Sequence, residues 1–190
     1  MRLAIGPALA LLLAGCLSKA IDPPPVIGPL PAFSLVDQAG RAVGPGELRG
    51  EPFVANFIFT RCISACPLLT SQMKNLQKRL GGAAERVKML SISVDPEYDT
   101  PEVLARYAAE QGATRRWTYL TGELDDVRGA IEEGFRVRMG ERVPLGDAFD
   151  ILHASHFVLV DSELRIRGYY RNDAEGLEEL EGAIRALLAS

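Results

Sequence analysis

The hydrophobic residues of this chain are grouped in a way that predicts alternating buried strands and helices. Residues 53–59 are apolar almost throughout, which is typical of a strand buried on both faces of a sheet. Residues 87–94 form a second run of this kind. Residues 67–80, between the two runs, place Leu69, Met73, Leu76 and Leu80 on one face of a helix. This alternation predicts an α/β protein.

The remaining segments extend the same pattern on both sides. Further strands are predicted at residues 33–36, 117–120, 157–160 and 164–170, with a hairpin turn at 38–41; further helices are predicted at 100–111, 124–135 and 177–188. Together these segments predict an α/β fold with a central mixed sheet flanked by helices, and with hairpins near both ends of the domain.

Composition and charge narrow the class of protein. The chain has 190 residues, enough for one domain with a substantial hydrophobic core. The formal net charge is −4 and the sequence pI is about 5.3, and no basic patch stands out. Because nucleic-acid binding depends on basic residues that neutralise phosphates, a nucleic-acid partner is not expected.

The first residues have the pattern of an export signal. One arginine is followed by a short apolar run that ends in Leu-Ala-Gly-Cys at residues 13–16. This ending resembles the lipobox of bacterial lipoproteins, whose cysteine is acylated and becomes the mature N-terminus. The resemblance implies a signal peptide at residues 1–15, a lipidated Cys16 and an extracytoplasmic protein anchored to a membrane. An ordinary signal peptide or an uncleaved anchor remains the alternative, although the apolar run is shorter than the ~20 residues that span a bilayer.

A proline-rich segment follows Cys16. Prolines occupy positions 23, 24, 25, 29 and 31, a composition that favours extended polyproline II and makes a semi-rigid spacer. We therefore predict a linker at residues 16–32, which would hold a folded domain at residues 33–190 away from the membrane surface.

Two further cysteines carry the candidate chemistry. Cys62 and Cys66 lie just past the carboxyl end of the strand at 53–59, where a helix begins. Ligands gather at this edge of open α/β sheets, and the positive end of a helix stabilises thiolates. Two thiols one helical turn apart can form a disulfide after slight unwinding, or can hold a soft metal ion between them. This placement predicts redox or metal chemistry without deciding between them.

The chain contains only two histidines, His153 and His156, as candidate nitrogen ligands. Their odd spacing places them on opposite faces of one strand, so at most one should join the cysteines directly. We predict His153 in a loop that approaches the sheet edge and His156 at the start of the strand. Two thiolates and one imidazole form a soft, low-coordination set that favours Cu(I), whereas Zn(II) would require a fourth ligand.

Three stretches carry a resemblance to the Sco/SenC family of thioredoxin-fold proteins, which act in copper delivery to cytochrome c oxidase. They are N-F-I-F-T-R-C-I-S-A-C-P at 56–67, S-V-D-P-E-Y-D-T-P-E at 93–102 and H-A-S-H-F-V-L-V-D at 153–161. The resemblance implies a thioredoxin-like fold and copper bound by Cys62, Cys66 and His153. It also implies that Cys62 and Cys66 can form a redox disulfide. His153 takes the ligand position because it lies eight residues before Asp161.

Two departures from the family pattern lie close to these residues. The family often has Asp before the histidine and Ser or Thr after it, whereas Leu152 and Ala154 occupy those positions here. The family also tends to have Gly three positions after the Asp that ends the strand, where this chain has Leu164.

The second stretch contains two aspartates with different expected roles. Asp95 is predicted at a strand end on the same edge as the cysteines, where it could influence the metal or the thiolates. Asp99 or Thr100 is expected to cap the next helix, with Glu102 placed for a reciprocal hydrogen bond to Asp99.

Three functions fit these residues to different degrees. The first is a copper metallochaperone that delivers Cu(I) or Cu(II) to an oxidase subunit. The second is a thiol–disulfide reductase that keeps the cysteines of a partner reduced and itself needs an electron donor. The third, a peroxidase with a thioredoxin fold, fits least. Its pattern requires a proline where this chain has Asn56, and Thr60 stands only two residues before Cys62. His153 favours the metallochaperone, because an imidazole has no obvious role in dithiol exchange.

Overall fold

A computed structural model describes the backbone of residues 22–62, 66–145, 148–153 and 155–190. The signal peptide, Cys16 and the first part of the linker lie outside these residues. The strands are β1 (Gly28–Pro29), β2 (Leu35–Asp37), β3 (Ala42–Val43), β4 (Phe53–Ile58), β5 (Lys88–Ser93), β6 (Trp117–Thr121), β7 (Met139–Leu145), β8 (Ala148–His153), β9 (His156–Val160) and β10 (Arg165–Arg171). The α-helices are α1 (Pro45–Leu48), α2 (Cys66–Leu80), α3 (Pro101–Glu110), α4 (Leu124–Gly129) and α5 (Ala174–Ala189).

The main sheet is mixed, as predicted. Its strand order is β1-β10-β9-β4-β5-β6-β2-β3, and β4, β5 and β6 are parallel neighbours at its centre. The hairpin β9–β10 joins one side of this centre, with β9 antiparallel to β4. The hairpin β2–β3 joins the other side through β6. Because β4 and β5 run in the same direction, the segments that follow them meet at one edge of the sheet.

The central strand β4 has no exposed face. All six of its residues are fully buried, including Asn56, whose Oδ1 accepts a hydrogen bond of 2.6 Å from Ser91 Oγ in β5. The amphipathic helices α2 and α5 bury their apolar residues against the sheet, among them Leu69, Met73 and Leu180. The apolar run at residues 53–59 thus marked the strand on which the core is built.

The helix predicted at residues 124–135 changes its winding halfway. After α4 it continues as a π-helical turn at Ala130–Gly134, which the Phe135 N–H closes with a 2.8 Å hydrogen bond to the Ala130 carbonyl. The wider turn places the Phe135 ring 5.7 Å from Phe57 and 6.4 Å from Phe53, both in edge-to-face contact. Packing of one aromatic ring into the core accompanies the local change of helix type.

The folded domain starts earlier than the predicted residue 33. Gly28 and Pro29 form β1, which pairs with β10, and Leu30 is buried. Farther back, Arg167 donates hydrogen bonds to the Pro24 carbonyl from Nε, at 2.7 Å, and from Nη2. The linker predicted at 16–32 therefore includes residues that belong to the fold. Proline is compatible with this arrangement because β1 is an edge strand, where a missing N–H costs no ladder hydrogen bond.

A second, two-stranded sheet was not predicted. β7 and β8 pair antiparallel with each other, with Arg142 opposite Ile151 and Met139 opposite His153. The pattern of residues 139–145 conceals this strand, because Met139 is the only buried one among its described side chains and Pro144 argues against a strand. This hairpin changes the surroundings of His153, as described below.

The turn between β9 and β10 has an unusual residue at its tightest point. Leu164 has a φ of +66°, the left-handed conformation at the position where the resemblance led us to expect glycine. Its side chain is buried, and its N–H donates to the Asp161 carbonyl at 3.0 Å. The turn geometry is retained, and burial of the leucine side chain offsets the backbone strain.

Substitutions at Leu164 should therefore have an uncommon order of stability. Leu164→Ala loses buried contacts and keeps the strained backbone, so we expect a loss of about 2–5 kcal/mol in the free energy of unfolding. Leu164→Gly loses the same contacts but relieves strain of about 1–2 kcal/mol, so it should be the more stable of the two variants. Urea unfolding of the three proteins measures this order. An alanine variant as stable as the glycine variant would contradict it.

Candidate metal centre

Cys62 lies where the sequence placed it, just past the carboxyl end of β4. Its side chain is buried, with 8% of the residue exposed, and its N–H donates to the Phe59 carbonyl at 3.2 Å. Cys66 is the first residue of α2. A buried sulfur at the edge of a parallel sheet, followed by a helix start, is suited to a thiolate that binds a metal ion or forms a disulfide. The side chain of Cys66 is outside the described part of the structure.

His153 is the last residue of β8, opposite Met139 in the two-stranded sheet. Its predicted position in an approach loop was therefore wrong: a hairpin strand ends at this residue. The backbone of His153 is nevertheless close to the cysteine edge, because only two residues separate it from His156, the first residue of β9. β9 is antiparallel to β4, so β9 begins at the edge where β4 ends. The position of the His153 imidazole is not described.

His156 has a different environment from the one a copper ligand would need. It is exposed and lies on a shallow surface depression with Tyr169, Arg136 and Arg138. Its strand partner is Arg171 of β10, the strand that flanks β9 on the opposite side from β4. This location is consistent with the prediction that His153, rather than His156, joins the cysteines.

Asp95 is a buried carboxylate at this edge that forms ion pairs with two arginines. Its side chain is 1% exposed and lies between two arginines that come from different segments. Arg61, the residue before Cys62, donates to Asp95 Oδ2 from Nη2 at 2.6 Å and from Nε at 3.1 Å. Arg142 of β7 donates from Nη2 to Asp95 Oδ1. One buried carboxylate therefore contacts both the cysteine segment and the hairpin that carries His153.

Asp99 does not cap the helix that follows it. The N-cap of α3 is Thr100, whose hydroxyl accepts from Val103 N at 3.4 Å and donates to Glu102 at 2.8 Å. Asp99 instead turns inward and is fully buried. The predicted reciprocal bond from Glu102 to Asp99 is thus replaced by one between Glu102 and Thr100.

The inward carboxylate of Asp99 holds the segment that leads to Cys62. It accepts hydrogen bonds from Thr60 Oγ1 at 2.5 Å, from the Thr60 N–H at 3.1 Å and from Ser93 Oγ at 2.6 Å. Burial raises the pKa of Asp99 above its ordinary value, against the lowering effect of the hydrogen bonds from Ser93 and Thr60. These hydrogen bonds hold Thr60 in place, and Thr60 is only two residues before Cys62 in the chain.

The raised pKa of Asp99 predicts an unusual dependence of stability on pH. Because the folded state holds this proton at a higher pH than the unfolded chain, its stabilising effect is complete below the unfolded pKa of about 3.8. That effect is lost as the pH rises through the folded pKa. Asp99→Asn cannot ionise, so the stability of the variant relative to wild type should increase across this window. Urea unfolding at pH values from about 3.5 to about 7 tests the difference.

Asp173 offers a matched control for this experiment. It caps α5, and a hydrogen bond from the Gly176 N–H lowers the pKa of its carboxyl. Asp173→Asn should therefore lose stability relative to wild type as the pH rises through the carboxyl range, the opposite sign. A difference between Asp99→Asn and wild type that is flat or falls with pH would contradict the assignment.

Two negative findings concern the metal site and the membrane. Among side chains that the structure describes, no group of three His, Cys, Asp or Glu residues is placed to hold a metal ion. The side chains of Cys66 and His153 are not among them. Among the described helices, none is long and apolar enough to cross a bilayer.

Comparison with known proteins identifies the family. Residues 26–189 match the sequence model of SCO1/SenC proteins. The chain belongs to the SCO1/SenC family. The SCO1 protein homolog of Bacillus subtilis is 35% identical over 150 residues, which cover 77% of this chain and 73% of that protein.

Solved SCO1/SenC structures share the fold. BsSco, a member of the Sco family of cytochrome c oxidase assembly proteins in which a disulfide switch was identified, is 29% identical with a TM-score of 0.74, covering 90% of this chain and 99% of that chain. A SCO1/SenC family lipoprotein from Bacillus anthracis is 27% identical with a TM-score of 0.74, covering 85% and 95%. Bradyrhizobium japonicum ScoI with copper bound is 27% identical with a TM-score of 0.70, covering 84% and 97%. The predicted thioredoxin-like fold is confirmed.

The arginines beside Asp95 were not predicted from the sequence. Asp95 itself was expected at the cysteine edge, but no pattern connected it to Arg61 or to Arg142. Arg61 offered one signal, since it directly precedes Cys62. Arg142 offered none, because the strand in which it lies was not predicted.

Proposed function

We propose that this SCO1/SenC protein is a membrane-tethered copper metallochaperone. It binds copper through Cys62, Cys66 and His153 and delivers it to the copper centre of cytochrome c oxidase. The observation that carries the proposal is the convergence of three backbone positions at one sheet edge. Cys62 follows β4, Cys66 opens α2, and His153 ends a hairpin, with only two residues between it and the start of β9. A related protein of the same fold holds copper.

The donor set suits copper as a transferable cargo. Two thiolates and one neutral imidazole form a soft, three-coordinate shell that Cu(I) accepts, and the imidazole adds a donor that Cu(II) prefers. The low coordination number leaves room for a ligand of the recipient to approach before the first ligands leave. Burial of Cys62 limits the access of water and of other thiols to the sulfur.

The proposed membrane attachment is supported by the lipobox-like sequence that ends at Cys16. Acylation of Cys16 would anchor the chain outside the cytoplasm, where an oxidase subunit that accepts copper would be accessible. A solved relative is described as a lipoprotein, which supports this part of the proposal. Residues 17–27 would then connect the membrane to β1.

A second candidate function is thiol–disulfide reduction, in which Cys62 and Cys66 would reduce the copper-site cysteines of a partner. The disulfide switch identified in BsSco supports this alternative. The reaction would oxidise the two thiols to a disulfide while a partner disulfide gains two electrons and two protons. A separate thiol reductant would then have to restore Cys62 and Cys66.

The experiment that separates the two functions is anaerobic copper titration of the reduced protein. The metallochaperone requires one tightly bound copper per chain, with an affinity that depends on His153. The reductase requires only the two cysteines. Copper binding that is unchanged by His153→Ala, together with reductase activity that this variant keeps and that Cys62→Ser loses, would replace the first function by the second.

A further inference from the structure

The hairpin that carries His153 has few backbone connections to hold it in place. In the described residues β7 and β8 form a sheet of their own and do not extend the main sheet. An isolated two-stranded hairpin is marginally stable in water, so side-chain contacts have to fix its position. Met139 and Ile151 supply part of the anchoring, since both are buried at the base of the hairpin.

Arg142 supplies a polar anchor close to His153. Arg142 pairs with Ile151 of β8, and Ile151 is two residues before His153 in that strand. The pairing register between β7 and β8 shifts between Met139 and Arg142. A shift of this kind changes the direction of side chains near it, as bulges beside functional sites do. Arg142 reaches Asp95 from this position and also contacts Glu97 at 3.3 Å.

Arg61 approaches Asp95 from the cysteine side. Its guanidinium lies 4.0 Å above the centre of the Tyr98 ring while two of its nitrogens donate to Asp95 Oδ2. The stacking and the two-nitrogen contact restrict the arginine to one orientation. Because Arg61 is bonded directly to Cys62, that orientation limits the movement of the Cys62 backbone.

Asp95 is held rigidly between the two arginines. Its N–H donates to Ser93 Oγ at 3.0 Å, and its carbonyl accepts from the N–H groups of Tyr98 at 3.1 Å and Asp99 at 2.9 Å. The carboxylate is almost fully desolvated, and charge-assisted hydrogen bonds are strong in such surroundings. Each oxygen faces a different arginine, so neither contact can replace the other.

We propose that Asp95, Arg61 and Arg142, hereafter the Asp95 bridge, set the distance between the cysteine ligands and His153. Arg142 positions the histidine side of the site, Arg61 positions the cysteine side, and Asp95 joins the two. The inference rests on the copper site proposed above. It assigns a positioning role to residues that do not themselves contact copper in the proposed ligand set.

A double-mutant cycle between Arg142 and His153 tests the bridge. Groups outside the ligand shell typically change metal affinity by 10- to 100-fold, so Arg142→Ala should weaken Cu(I) binding to the reduced protein by about tenfold. If Arg142 acts by placing His153, the variant carrying both Arg142→Ala and His153→Ala should bind no more weakly than His153→Ala alone. Arg61→Ala should still weaken binding in the His153→Ala background, because it acts on the cysteine side.

Arg138→Ala is the matched control. Arg138 is an exposed arginine just before β7 and makes no ion pair among the described residues, so its removal changes net charge equally. It should leave copper affinity unchanged. Arg142→Lys keeps a charged donor and should retain most of the affinity that Arg142→Ala loses. If His153→Ala weakens copper binding, then wild-type affinity in Arg142→Ala, or losses that add in the double variant, would overturn the proposal.

A metal-free measurement keeps this test separate from the copper site itself. In the apo protein, Arg142→Ala should increase amide hydrogen exchange in β7 and β8, whereas β4 and β5 keep wild-type protection. Arg142→Ala could lose hairpin protection while His153→Ala binds copper like wild type. That result would support the bridge and reject His153 as a copper ligand. Unchanged hairpin protection would reject the bridge, whatever the copper result.

Discussion

His153→Ala is expected to bind copper at least tenfold more weakly than the wild-type protein, with a greater loss for Cu(II) than for Cu(I). Removal of one ligand from a three-coordinate site should cost at least about 1.4 kcal/mol, which corresponds to a tenfold change in affinity. The loss is greater for Cu(II) because this harder ion prefers a nitrogen donor, whereas two thiolates still satisfy Cu(I) in part. Anaerobic titration against a competing chelator measures both affinities.

The specificity of this result depends on two comparisons. His156→Ala should bind copper like wild type, since the His156 side chain is exposed on the protein surface. His153→Ala should also reduce a model disulfide at the wild-type rate, because dithiol exchange requires only Cys62 and Cys66. A loss of copper affinity in His156→Ala equal to that in His153→Ala would refute the assignment of the nitrogen ligand.

Cys16→Ser is expected to release the protein from membranes into the soluble extracytoplasmic fraction. Each buried CH₂ of an acyl chain contributes about 0.8 kcal/mol to membrane binding, and stable anchoring requires more than one chain. Fractionation of cells and incorporation of a radiolabelled fatty acid measure the change, and both the membrane association and the label should be lost.

Cys62→Ser serves as the control for this experiment, because it removes a cysteine of the proposed metal site and leaves Cys16 in place. That variant should remain on the membrane and keep the acyl label. If Cys16→Ser still incorporates label, the lipobox assignment is wrong, and an uncleaved N-terminal anchor becomes the better explanation of any membrane association.

Local patterns in the sequence were sufficient to predict the elements around which the site is built. The unbroken apolar run of β4 predicted its burial on both faces, and the positions of Leu69, Met73, Leu76 and Leu80 predicted the helix that follows. These two patterns alone place Cys62 and Cys66 at the junction of β4 and α2. Such patterns can be recognised in a sequence because buried positions recur along a strand or helix with the period of that element.

The surroundings of His153 were beyond that kind of inference. The described side chains of β7 are mostly exposed and the strand contains Pro144, so it lacks the alternation by which strands are recognised. The inward turn of Asp99 was likewise missed, because a local rule for helix caps also fitted Asp99. From the sequence, either Asp99 or Thr100 could cap α3. Asp99 does not cap it because the sheet brings Thr60 and Ser93 close enough to donate hydrogen bonds to its carboxylate.

The sequence by itself thus determined the fold class and the position of the cysteine pair, and its resemblance to the SCO1/SenC family implied His153 as the predicted ligand. The tertiary structure alone decided that Arg61, Asp95 and Arg142 meet at the same edge. Asp95 lies 34 positions from Arg61 and 47 positions from Arg142 along the chain. No local pattern relates them, because their proximity depends on the pairing of β4 with β5 and on the packing of a separate hairpin beside that edge.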